Sequence, residues 1–324
     1  MIGRLPLWMM LLPLVAGVAI WAYVWRGQAA GFEADLARVL PPNSEIEAGG
    51  FPYRLEVHVQ PVDLLAQDVA LKASLKASEA TINRVPWQPE RQVINLGESV
   101  AEISLAPIQG AIARIASPEA QASLRLDGGK IARLSILWEG ADIQTGLFAT
   151  PATAKHFEVH LRETPSSAAA ADTDNPRPPT QAQLVLAGES VRFGHGDPLK
   201  LELQAELTAT SAIRSLAAWT DGGTAEVRQA SIHDATGEVA SLKATIVSDG
   251  LRGLMVAGTI ETVCPASVRA AMAGLPPISE SRTRKAETIA FQGSLPGKLV
   301  AAERDPKKPP APVRGQEPPC PRLR

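Results

Sequence analysis

Polar and apolar residues alternate over much of the chain. Leu55, Val57 and Val59 alternate with Glu56, His58 and Gln60, and Phe157, Val159 and Leu161 with Glu158, His160 and Arg162. Leu201, Leu203, Ala205 and Leu207 alternate with Glu202, Gln204 and Glu206. Leu134-Ile136-Trp138, Leu242-Ala244-Ile246 and Leu254-Val256-Ile260 keep the same period. A period of two predicts antiparallel strands with one apolar and one solvated face. Asp127-Gly128-Gly129, Gly194-His195-Gly196-Asp197, Asp221-Gly222-Gly223 and Asp249-Gly250 supply turns. Helical spacing is local. Phe32, Leu36, Val39 and Leu40 make one apolar face before Pro41-Pro42. Ile108–Ala116 and Ala266–Ala273 read as short alanine-rich helices, and Ile213–Trp219 as about two turns. The expected fold is mainly β: an N-terminal transmembrane helix, then an antiparallel sheet-rich exported domain over residues 28–300 with a few short helices.

The helix is read from Leu5–Trp25, 21 uncharged positions between Arg4 and Arg26. At about 1.5 Å per residue it spans roughly 31 Å, matching a hydrocarbon core of about 30 Å. Trp8, Trp21, Tyr23 and Trp25 cluster near its ends, where headgroups favour amphipathic rings. Pro6 and Pro13 are tolerable in a lipid-embedded helix. A cleaved signal would have a shorter apolar core, about 7–15 residues, and a small-x-small site, which Tyr23–Ala29 lacks. Residues 1–27 therefore read as an uncleaved signal anchor. Arg4 and the amine before it, against Arg26 after it, orient the remainder outward. The expected location is the inner membrane, single-pass, with the C-terminal domain in the periplasm.

Composition narrows the classes further. The 324 residues carry 32 Lys and Arg against 34 Asp and Glu, so the basic footprint of a nucleic-acid binder is missing. A single apolar run excludes a polytopic transporter. Residues 164–180 read as a mobile polar insertion. Residues 301–324, with seven prolines and six basic residues, read as a disordered tail. Between residues 26 and 300 there are 25 basic and 31 acidic residues, a balance that disfavours anionic headgroups.

Candidate chemistry is sparse. His156 and His160 are four apart, but on a strand that is about 13 Å, too far for one metal ion. His195 and Asp197 sit between turn glycines, and Asp172 and Asp174 lie in the insertion without a partner. Gly97-Glu98-Ser99 and Gly188-Glu189-Ser190 lack the last glycine of a nucleophile elbow. Glu202 and Glu206 share the solvated face of a strand. No catalytic residue, cofactor or metal is expected, and the protein reads as non-enzymatic. Cys264 and Cys320 are the only cysteines. In an oxidising compartment they are a candidate disulfide closing a loop of about 57 residues. The alternative is a buried Cys264 with Cys320 free or paired to another chain.

One motif stands out: Gly49-Gly50-Phe51-Pro52-Tyr53-Arg54. Glycine and proline punctuation makes it a turn into the first strand, with Phe51 and Tyr53 packing. The competing reading makes Arg54 an anion clamp. Gly50-Phe51-Pro52-Tyr53-Arg54 resembles the G-F-P-[FY]-R motif that opens the exported domain of a bacterial envelope family, the DUF2125 group. Val85-Pro86-Trp87-Gln88-Pro89 is similar to that family's next segment, and Trp219, Gly222-Gly223, Ser231-Ile232 and Gly237 resemble its second half. The resemblance covers most of residues 5–260 and implies a single span, a short helix and an exported domain. The strand pair Val247–Ile260 also resembles AsmA-type envelope proteins. The resulting expectation is a structural or lipid-handling envelope protein whose apolar sheet face holds acyl chains. Its alternative is a scaffold recruiting other envelope proteins through sheet edges or the proline-rich tail. Nucleic acid is not an expected partner.

Overall fold

A computed structural model describes residues 7–67, 71–105, 111–128, 130–145, 150–164, 179–209, 219, 222–248, 253–295, 299–302 and 317–324. A long helix α1 (Leu7–Ala37) leads into strands β1 (Glu45–Gly49), β2 (Leu55–Gln60), β3 (Val62–Gln67), β4 (Leu71–Ala77), β5 (Ala80–Val85) and β6 (Gln88–Leu96). Next come β7 (Ser99–Leu105), β8 (Ala111–Ser117), β9 (Glu119–Asp127), β10 (Lys130–Thr145), β11 (Ala152–Glu163) and β12 (Thr180–Phe193). The chain continues through β13 (Leu199–Thr208), β14 (Thr224–Asp234), β15 (Gly237–Ser248), β16 (Leu254–Thr262), helix α2 (Pro265–Met272), β17 (Glu287–Leu295) and β18 (Leu299–Ala301). All strands belong to one antiparallel sheet.

Pairing shows that β2 with β3, β4 with β5, β6 with β7 and β8 with β9 are halves of long strands. β2 pairs with β5 while β3 pairs with β4. β6 pairs with β5 and β9 while β7 pairs with β4 and β8. β10 spans both halves, pairing with β9 and then β8. Seen this way the sheet is an up-and-down meander, in which each long strand lies beside its neighbours in sequence.

A crease runs across this meander. It passes through Pro61, Ser78-Glu79, Gly97-Glu98, Pro118 and Gly140. At each break the inward-facing positions step by three instead of two: Val59 to Val62, Ala77 to Ala80, Leu96 to Ser99, Ser117 to Ala120, Trp138 to Ala141. All ten of these residues are buried. An extra residue bends a strand and resets its alternation, so the same face stays inward on both sides of the fold line. Gly140 takes φ +61 there, a left-handed backbone that favours glycine. The Ser117 hydroxyl lies 2.6 Å from the carbonyl oxygens of Glu119 and Glu139, tying two strands at the crease.

The larger buried cluster follows the crease, joining Leu55, Val57 and Val59 with Trp138, Ile143, Ala152 and Val191. Its open end is closed by α1, which contributes Trp25, Ala29 and Phe32. A second cluster joins Val227, Val256, Ile260 and Phe291 with Val268 of α2.

Several expectations need correction. Residues 111–117 form β8, not a helix. Two neighbouring strands give them backbone partners on both edges, which outweighs the alanine content. Of the short helix expected at Phe32–Leu40, residues as far as Ala37 are the end of α1, continuous with the apolar segment, and residues 38–40 form a turn. Trp21 and Trp25, expected at headgroups, donate to the carbonyls of Pro52 and Arg54 at 2.8 and 3.1 Å. The end of the tail, expected to be disordered, is placed, and residues 303–316 lie outside the described residues. Residues 317–324 are placed by a bridge between Ser281 and Pro319, by hydrogen bonds from the Cys320 N–H to Glu280 O and from the Asp197 N–H to Arg322 O, and by burial of Pro321. Residues 165–178, most of the proposed insertion, and Ile213–Ala218 lie outside the described residues.

No helix among the described residues is long and apolar enough to cross a membrane.

Candidate functional site

Away from the crease the inward face remains apolar but is less covered. One row runs from Val57 on β2 through Ile82, Ile94, Ala122, Ile136, Val159, Leu186 and Leu203 to Ile289 on β17. At about 4.8 Å per strand this stripe extends roughly 50 Å. The next row outward, Leu124, Leu134, Leu161 and Leu184, is half-buried, and the first three belong to neither buried cluster. Strict alternation in the sequence builds this face. The bent meander brings strands far apart in sequence, such as β2 and β17, onto one continuous apolar surface.

The Gly-Phe-Pro-Tyr-Arg segment forms the turn between β1 and β2, and it grips α1. Trp21 and Trp25 bond to its carbonyls, and Phe51 packs edge-on against Trp25 at 5.5 Å. Tyr53 does not pack: it is 78% exposed. Gly50 has φ +89, and a Cβ there would lie 2.7 Å from Arg54 O. Gly50→Ala should therefore destabilise the turn by about 1–3 kcal/mol. Thermal melts of the full chain would show this as a lower midpoint, with protease sensitivity rising around residues 26–54. The Arg54 guanidinium pairs with Glu56 at 2.7 Å.

Cys264 is fully buried and is bonded to Cys320. Glu280 lies close by, but its carboxylate receives the N–H groups of Ala266 and Ser267 at the start of α2. On the polar face His156 sits 2.6 Å from Glu139 and His160 sits 3.0 Å from Glu158, each with its own carboxylate. Glu202 and Glu206 are also separately engaged, by Lys200 and Arg228. Asp197, read as turn chemistry, is a tail anchor. The Arg322 N–H and then its guanidinium hold the carboxyl below its usual pKa. Sequence inspection also missed Arg282. Its guanidinium pairs with Asp234 at 2.6 Å with both side chains largely buried, and it donates to Glu238 O. Nothing in the local pattern joins positions 48 residues apart.

Residues 19–240 match a family described as an uncharacterized protein conserved in bacteria, DUF2125. The chain belongs to this family. The DUF2125 match begins two residues before Trp21, so it includes the part of α1 that the Gly-Phe-Pro-Tyr-Arg turn holds. It also takes in the crease and the apolar rows as far as β14, while α2 and the Cys264–Cys320 bond lie beyond it. No curated protein and no solved structure matches the chain, so the likeness to AsmA-type proteins has no such match behind it.

Proposed function

We propose that this DUF2125 protein is a non-enzymatic, single-pass protein of the bacterial envelope. Its creased sheet is held on the periplasmic side of the inner membrane and handles lipid acyl chains on its apolar face. The observation that carries the reading is the free half of α1. Leu11, Leu12, Leu14, Val15, Val18 and Ile20 are all exposed, and at 100° per residue they cover the whole circumference of the helix. A helix apolar on every side is matched to a hydrocarbon environment. Trp21 and Trp25 clamp it to the end of the sheet where the chain turns at residues 51–54 and at 86–87. There Tyr23, Phe51, Tyr53 and Trp87 are exposed, as aromatic rings are at a membrane interface. The Cys264–Cys320 bond suits an oxidising compartment.

A reporter active only after export, fused after residue 300, should be active, and a cytoplasmic reporter at the same place should stay dark. The full chain should resist alkaline extraction from membranes, and Leu14→Arg with Val18→Arg should release it. The reverse reporter pattern, or a wild-type chain released by alkali, contradicts the reading.

A further inference from the structure

One end of the polar face gathers arginines. Register sets Arg91 opposite Arg125, Arg125 opposite Arg133 and Arg133 opposite Arg162, on four adjacent strands. Side chains directly opposite each other start about 5 Å apart, and like charges so placed repel. Among the described residues none of these four forms an ion pair. Arg91, Arg125 and Arg133, with Arg54 and Arg84, line an open cavity of about 750 Å³ that no carboxylate lines. At its rim Glu56 pairs with Arg54 at 2.7 Å. On the cavity wall Asn83 has a buried side-chain oxygen without a partner among the described residues, whereas the Arg84 guanidinium turns to the inward face and stacks on Phe32 at 3.6 Å.

Repulsion of this kind costs stability. A domain carrying net negative charge has thus gathered three guanidinium groups without ion-pair partners among the described residues, those of Arg91, Arg125 and Arg133, at one concavity, a local field that its overall balance conceals. Guanidinium forks match the tetrahedral oxygens of phosphate and bind them with paired, charge-assisted hydrogen bonds.

We propose that this cavity is a binding site for a phosphate group, carried either by a lipid headgroup or by a soluble phosphate. Arg91, Arg125 and Arg133 alternate with the apolar rows and so belong to the opposite face, although Leu124 of the outer row also borders the cavity; the site stands whether or not α1 enters a bilayer.

The test is calorimetric titration of the full chain in uncharged detergent, first with inorganic pyrophosphate and then with dioctanoyl phosphatidylglycerol. At least one should bind, more weakly as salt rises. Arg125→Gln should lose tenfold or more in affinity, and Arg125→Gln with Arg133→Gln should abolish binding. Binding of pyrophosphate assigns a soluble source, and binding of the lipid alone assigns a headgroup. Without ligand, each variant should melt at or above the wild-type temperature, because like-charge repulsion is relieved. Three results overturn the site: no binding of either probe by the wild type, variants that bind within twofold of it, or variants that melt well below it without ligand. The last would make the arginines structural.

Discussion

Val57→Asp should strongly destabilise the folded domain. Val57 is 0% exposed, on the inward face beside the crease, and it lies between Ala48 and Ile82 on the flanking strands. An uncompensated charge there costs about 3–5 kcal/mol, a large share of the 5–15 kcal/mol by which domains are ordinarily stable. For a domain of this size that lowers the melting midpoint by about 10 °C or more. Val300→Asp is the matched control: Val300 is exposed on β18 at the sheet edge, and its change should stay within about 0.5 kcal/mol. Circular dichroism melts of the full chain in detergent compare the two. Equal midpoints would mean that the buried cluster along the crease does not hold the sheet together.

Loss of the Cys264–Cys320 bond should have the next largest effect. The two cysteines are 56 residues apart in sequence. In the chain-entropy view, releasing a loop of that size costs on the order of 4 kcal/mol. The tail would keep only weak attachments, because the Arg322–Asp197 pair is largely exposed and such pairs contribute about 0–1 kcal/mol. Cys264→Ser with Cys320→Ser should therefore lower the midpoint and expose residues 317–324 to carboxypeptidase. Non-reducing peptide mapping after thiol blocking should give one linked peptide pair from the wild type. Two separately blocked thiols, or an unchanged midpoint in the double variant, would contradict the account.

Much of the architecture could be read from alternation. The strands around Leu55, Leu134, Phe157, Leu201, Leu242 and Leu254 all form where the period of two places them, because one buried face is enough to set register. The crease left a trace that a search for strict alternation passes over. Each long strand changes phase once, as from Val59 to Val62 or from Trp138 to Ala141, and only pairing shows that these changes fall on one line. Residues 111–117 misled because alanine and isoleucine suit a helix as well as a strand, and partners distant in sequence decide between them. The Gly-Phe-Pro-Tyr-Arg turn was legible as a turn, but its grip on Trp21 and Trp25 was not. The arginine cavity was invisible for the same reason as the Arg282–Asp234 pair: its members are dispersed from Arg54 to Arg133 and share no spacing.

The central claim is that the half-buried leucine row beyond the crease holds acyl chains. Native mass spectrometry of the full chain, extracted from membranes in mild detergent, tests it most directly. The wild-type protein should carry co-purified lipid. Leu134→Glu with Leu161→Glu should be free of lipid, yet remain membrane-attached and melt within a few degrees of wild type, because neither leucine belongs to a buried cluster. A wild-type protein without lipid, or a double variant that retains it, would contradict the account.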